Sequence, residues 1–546
     1  MRALAGPVLV ALLLWLVVYP LALVLVEAVR GDGGWTLQYV REFLDRPTEW
    51  KALWGSLWIS LASVALSAAV GVPLGFLFSR FDFPGRRVLG TVVALPAVLP
   101  PLVGVLAFLF LLGESGFVAH VVMALFGLQQ SPWRLSGAGA VLVVHAYTMY
   151  VYFYLFTRAG LAGIDGALLE AAASLGSGRW RTLRRVVLPH LGPALTGAAL
   201  LTFMTSLASF SAPYVFGGGF RVMTTQIVST RLNGDERLAM VETTALTALA
   251  LVALALFSRR GAESLTGGSK GAAPAPTPIR SRWARRAVAA GAWALGALLL
   301  LPHLTLLLVS LVPRGTWTTE AVPPEYTVRN YLTLFDDPVR FRPLANSLWM
   351  AVLATAAAVA LALWAGSVAR RRTRSGTAVE ALVALPWAVP GTVFAIALAT
   401  AFSVHRPAVG RVVLVGTLWI LPLAYLVRNL PLTGRAVLAG FRQLDPAYDE
   451  AAASLGAGRW RALRRVTLPL LRPALLAGAT LAFVTALGDF VTSIMLYTYD
   501  TRPISLEILG SLRQSDVGVA AAYGVILMAV SGLVFALGAE RGGGNG

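Results

Sequence analysis

The chain has 546 residues, of which 57% are hydrophobic and only 13% charged, with a formal net charge of +19; its mean hydropathy is +0.72. That balance excludes a soluble globular domain and a disordered tail, and identifies a membrane protein. There is no cysteine, which excludes disulfides and thiol chemistry.

The first apolar run, Ala5 to Val26, carries no charge. It is longer than the core of a signal peptide and long enough to cross the bilayer as a helix, so it reads as a retained span. Similar runs predict twelve spans, beginning near residues 6, 53, 88, 137, 191, 239, 287, 345, 378, 411, 472 and 518. With twelve spans, Lys and Arg concentrate on the face that holds both termini. By the positive-inside rule that face is cytoplasmic. The basic residues spread along one membrane face without an interleaved aromatic platform, so they match lipid topology rather than a nucleic-acid partner.

Two halves are legible. Ser56-Leu-Trp recurs at Ser347, ALPAVLPP from Ala94 is answered by ALPWAVPG from Ala384, and LTFMTSLASF from Leu201 by LAFVTALGDF from Leu481. The expected organisation is a first unit over 1–257, a cytoplasmic Gly/Pro/Ser/Arg-rich linker over 258–286 and a second unit over 287–546. Each unit has six spans, an even number, so the units are parallel repeats related by an axis along the membrane normal.

The strongest repeat is a loop. EAAASLGSGRWRTLRRVVLP runs from Glu170 to Pro189, and EAAASLGAGRWRALRRVTLP follows 280 residues later, from Glu450 to Pro469. The copies differ at Ser177/Ala457, Thr182/Ala462 and Val187/Thr467. Asp165 and Asp445 are suited to cap a short helix, and Pro446 to its first position. Gly176 and Gly456 are placed to end it in the left-handed conformation. A second helix follows, with Trp180, Leu183 and Val187 spaced along one side and Arg181, Arg184 and Arg185 on its flanks. A single copy would pass for a plain interfacial loop. Two near-identical copies in otherwise diverged halves point to one kind of partner, met twice.

The segments Glu170, Ala171, Ala172, Gly176, Leu188, Pro189 and Glu450, Ala451, Ala452, Gly456, Leu468, Pro469 fit E-A-A-x-x-x-G followed by hydrophobic-x-Leu-Pro. In this the chain resembles the permease subunits of binding-protein-dependent ABC importers, type I fold, and most of all the fused permeases for ferric iron, thiamine and related substrates. The resemblance implies an all-α polytopic protein of about twelve transmembrane helices in a bacterial-type inner membrane. It implies that loops 165–189 and 445–469 are coupling loops, with Glu170, Ala171, Ala172, Gly176, Glu450, Ala451, Ala452 and Gly456 seated on two copies of an ATP-binding subunit. It also implies an extracytoplasmic solute-binding protein that delivers substrate. No G-x-x-x-x-G-K-[ST] occurs and the only lysines are Lys51 and Lys270, so ATP and Mg are expected on the partner subunit and no cofactor on this chain.

Within the expected spans the ionisable residues are Glu27, Glu242 and Asp489. The first two fall near span ends, where water or headgroups solvate them. Asp489 lies deeper, which makes it a candidate for the substrate path. Its counterpart in the first half is Ser209, close to Ser206 and Ser211. Pro96, Pro100, Pro386 and Pro390 break corresponding spans. His120, His145, His190, His303 and His405 show no metal-ligand spacing. An ion-coupled secondary transporter would need more intramembrane charge, and an enzyme would need a nucleophile–base or metal constellation. Ferric iron is the first choice of substrate by resemblance, with thiamine, phosphonate, polyamine and oxyanions open.

Overall fold

The computed structural model describes residues 5–31, 33–262, 276–317, 320–370, 373–404, 413–445 and 447–542. Pro446, His405, Lys270 and the middle of the linker, residues 263–275, lie outside them. Among the described residues the chain is almost wholly helical, with strands limited to two short pairings, Arg30–Gly31 with Gly34–Trp35 and Phe81–Asp82 with Thr277–Pro278.

Among the described residues ten helices are long and apolar enough to cross a membrane, eleven if Arg374–Ala388 with Gly391–Phe402, bent by 110°, is taken as one broken span. The twelfth expected place belongs to Ile420–Gln443, a 24-residue helix that occupies the position of Gly137–Ala162 in the first half. Arg428, Arg435 and Arg442 lower its apolar character. It starts later than the span expected near residue 411, so Arg428 lies inside the helix rather than beyond its end.

The spans expected near 88 and 378 are each broken by their prolines. A proline disfavours helical geometry in the residue before it. Leu99, before Pro100, has ψ 126°, and Val389, before Pro390, has ψ 129°. A short helix, a tight turn and a new helix follow in each half: Arg86–Val92, Leu95–Val98 and Pro101–Leu112 in the first, Arg374–Ala384, Leu385–Ala388 and Gly391–Phe402 in the second. Every residue of Gly391–Phe402 is buried, so this helix lies at the centre of the molecule.

The same order of elements closes each half. Leu188–Leu207, Ser211–Phe216 and Met223–Leu232 correspond to Leu468–Leu487, Val491–Leu496 and Ile504–Arg513. The halves also exchange their first spans. The N-terminal span packs against Arg374–Ala384 and Gly391–Phe402 of the second half, while Arg282–Ser310 packs against Pro101–Leu112 of the first. Trp15 meets Phe402 edge-on at 5.5 Å, and the Tyr147 hydroxyl donates to the Leu299 carbonyl at 2.6 Å. Two large buried clusters therefore contain side chains of both halves. Without a hydrophobic drive between helices in lipid, small residues permit the close approach that packing needs. At Gly75 an added Cβ would sit 2.7 Å from Thr157.

Candidate functional site: paired loops and a central aromatic contact

Both loops fold in one way. The Asp165 carboxylate accepts the Ala167 amide at 2.9 Å and caps Gly166–Ser174. The Asp445 carboxylate does the same for Ala447, also at 2.9 Å, at the head of Ala447–Ser454. Gly176 and Gly456 both have φ 72°. The helices end in matching Schellman pairs: Ser177 N–H to Ala172 O and Gly176 N–H to Ala173 O in the first, Ala457 to Ala452 and Gly456 to Ala453 in the second. A Cβ at either glycine would meet nothing within 4 Å, so glycine is required by conformation and not by space.

After the bend, Arg179–Thr182 and Arg459–Ala462 run into π-helical turns, Leu183–Val187 and Leu463–Thr467. Such turns are frequent at functional sites. One expectation is corrected: Trp180 stands in the single turn Arg179–Thr182 directly after the glycine bend, ahead of the packed Leu183 and Val187, and is 72% exposed while Val187 is buried. Trp460 is 73% exposed, and Leu175 and Leu455 are 86% and 87% exposed. Each loop thus presents one Trp and one Leu outward, beside the exposed Glu170, Ala171 and Gly176 or Glu450, Ala451 and Gly456. Ala172 is half-buried and Ala452 buried, so they support the helix from beneath.

Each loop leads without interruption into a long helix, Leu188–Leu207 or Leu468–Leu487. Both end in the same kind of break, where Ser209 and Asp489 sit. Ser209 Oγ shares a hydrogen bond with His145 Nε2 at 2.9 Å, and His145 Nδ1 is 2.9 Å from Ser63 Oγ and 3.2 Å from Ser206 Oγ. Asp489 accepts the Thr492 and Ser493 amides at 2.9 and 3.1 Å, capping Val491–Leu496, and forms an ion pair with Arg428. The Asp489 side chain is 2% exposed and the Arg428 side chain 26%. In this conformation the carboxylate therefore does not line an open cavity. The more open member of the pair is Arg428, which a span starting near residue 411 would put beyond its end and which the observed helix Ile420–Gln443 puts inside.

Between the two polar nodes the halves touch. Phe210 and Phe490, equivalent positions 280 residues apart, have ring centroids 5.5 Å apart, and Tyr214 stacks on Phe210 at 5.0 Å. Gly488 lies against Pro100, so the broken span of one half abuts the helix break of the other. Both phenylalanines stood in the matched segments, and their identity at equivalent positions was the available signal.

Glu242 is also placed differently from expectation. It is fully buried, not solvated at a span end, and accepts Thr230 Oγ1 at 2.7 Å. Nearby Glu49 is buried as well and accepts Gln226 Nε2 at 3.1 Å. Glu27 is half-buried. Among the described residues no three His, Asp or Glu side chains gather into a group that could hold a metal ion.

Residues 71–264 and 358–539 each match the family model described as the binding-protein-dependent transport system inner membrane component. The chain belongs to this permease family, with two family domains fused in one polypeptide. The permease is 33% identical over 498 residues to the probable ABC transporter permease protein y4fN of Sinorhizobium fredii, covering 90% of this chain and 87% of that one. It is 26% identical to the ferric transport system permease protein FbpB of Actinobacillus pleuropneumoniae, over 95% of this chain and 75% of that one. It is 28% identical to the thiamine transport system permease protein ThiP of Salmonella typhimurium, over 90% and 88%. It is thus a multi-pass ABC importer permease, a transport subunit whose substrate these relatives leave open between at least two chemistries.

Proposed function

We propose that the permease carries substrate along the axis between its halves, and that the Phe210–Phe490 contact closes this route until the loops move. The observation that carries the reading is continuity. In both halves one helix of 20 residues joins the repeated loop to the helix break beside the aromatic contact. At 1.5 Å per residue such a helix is roughly 30 Å long, the thickness of the hydrocarbon core. A rigid element of that length transmits a displacement at the loop to the opposite end.

In this reading the loop face and both termini are cytoplasmic. Each loop seats one ATP-binding subunit, with Leu175 and Trp180 or Leu455 and Trp460 supplying the apolar contact. ATP and Mg bind on those subunits. When they close, the loops approach each other, the two long helices tilt, and Phe210 parts from Phe490. An extracytoplasmic binding protein presents substrate on the opposite face.

Ferric iron is the proposed substrate, supported by the ferric relative; the thiamine relative keeps thiamine as the alternative. Asp489 gives no separate support for a cation, because its charge is already met by Arg428. Uptake of radiolabelled iron and of radiolabelled thiamine by cells with and without the permease, its ATPase and its binding protein tests the assignment. ATP-dependent accumulation of iron is expected, and accumulation of thiamine alone would replace the substrate. Absence of any copurifying ATPase would refute the importer cycle itself.

A further inference from the structure

On the loop face, where Pro47–Arg80 and Gly137–Ala162 end, there is a cavity of about 400 Å³ lined by Ser79, Arg80, Arg86, Arg158 and Pro276, among others. None of the three guanidiniums forms an ion pair with a carboxylate among the described residues. Like charges gathered without a counter-charge repel one another, so a site of this kind is stabilised by an anion from outside the chain. Two of the three are held in place before any ligand arrives. Arg86 Nε donates to the Phe78 carbonyl at 2.7 Å, and Arg158 donates to the Tyr154 hydroxyl at 3.0 Å while lying over the same ring.

The linker forms one wall of the cavity. Thr277–Pro278 pairs in parallel with Phe81–Asp82, and the Thr277 hydroxyl donates to the Arg80 carbonyl at 3.0 Å. This anchors Pro276 beside the arginines. The second half has no copy, since the residue equivalent to Arg158, 280 positions on, is Leu438. Among the described residues the cluster is therefore tied to the first half, where the linker is seated.

We propose that this cavity binds a phosphate group. Arginine is the side chain suited to that ligand, because its planar fork gives two parallel donors to two phosphate oxygens. Bound there, the phosphate ties together the linker, the end of Pro47–Arg80 and the helix that leads into the first loop. The ligand can be the headgroup of an anionic lipid or a soluble phosphate, and the two sources separate experimentally.

The test uses the full-length permease in nanodiscs. In one arm, the protein is released from mixed phosphatidylglycerol and phosphatidylcholine discs and retained lipid is read by native mass spectrometry. In the other, inorganic phosphate is titrated calorimetrically into protein in phosphatidylcholine discs. The triple variant R80Q/R86Q/R158Q should lose binding in one arm, by about tenfold per arginine removed. R87Q, a neighbour outside the cavity, should behave as the parent. If the triple variant fails to fold, R158Q alone carries the comparison, with a loss of about tenfold expected. Retained phosphatidylglycerol that depends on the arginines assigns a lipid, and phosphate binding that depends on them assigns a soluble anion. Parent and variants indistinguishable in both arms would overturn the site. Neither readout involves transport, so the result stands apart from the proposed import cycle.

Discussion

Phe210 and Phe490 occupy equivalent positions in the two halves and touch each other, with ring centroids 5.5 Å apart and both side chains buried. Two copies of one position can meet only near the axis that relates them, so this contact stands across the route proposed between the halves. To one side of it lies a neutral node, His145 with Ser63, Ser206 and Ser209; to the other lies a charged one, Asp489 with Arg428. The two breaks have thus diverged in chemistry while keeping one geometry.

Removing the contact should open the route. F210A and F490A are each expected to lose about 3–5 kcal/mol in stability as large buried rings become cavities. They should also let a small fluorescent solute leak from proteoliposomes without ATP. F490L keeps most of the volume and should stay tight. Leak-free vesicles with both alanine variants folded and inserted would refute the closure at this point.

The Arg428–Asp489 pair makes a directional prediction. R428Q leaves a buried carboxylate without its counter-charge, and because Arg428 is itself a quarter exposed the low end of the range applies, about 3 kcal/mol. R428Q/D489N removes both charges and should be more stable than R428Q alone. Thermal unfolding in detergent measures the difference, and an R428Q variant as stable as the parent would contradict the pairing.

At the loops, strain rather than crowding is at issue. Gly176 and Gly456 have φ 72° with open space where a Cβ would go. G176V and G456V should each destabilise the bend by about 1–2 kcal/mol, the cost of left-handed geometry for an L-residue. Uptake should fall in each single variant, while the spans remain folded by circular dichroism. Normal uptake in both would show that the bend plays no part in coupling.

Much of this was readable in the sequence, and the misses have physical causes. The repeated loop was legible because capping Asp, the helix and the Gly stop are local signals, and the structure realises them at both copies. The breaks at Pro100 and Pro390 were legible for the same reason. The register of Ile420–Gln443 was not, since apolar residues run on before its start and its own arginines weaken the signal. That shift hid Arg428 and left Asp489 looking like a lone acid. The exposure of Trp180 and Trp460 is set by where the first turn after the glycine bend sits against the rest of the molecule, which helical spacing does not reveal. The Phe210–Phe490 contact is a tertiary fact that only the relation between the halves makes visible.

The exchanged first spans predict that the two halves assemble without a covalent link. Chains 1–267 and 268–546 expressed together should copurify and retain uptake, because Ala5–Ala28 and Arg282–Ser310 each pack on the opposite half. Failure of two stable, inserted halves to associate would show that the linker, and not the exchanged packing, holds them together.

If the two loops are two equivalent seats for an ATP-binding subunit, Leu175 and Leu455 are the side chains to change, being 86% and 87% exposed and therefore of little consequence for folding. Mass measurement of the purified complex should find two ATP-binding subunits per permease chain in the parent, one with L175D or L455D, and none with both. Two subunits still bound to the double variant, or no subunit bound to the parent, would contradict the account.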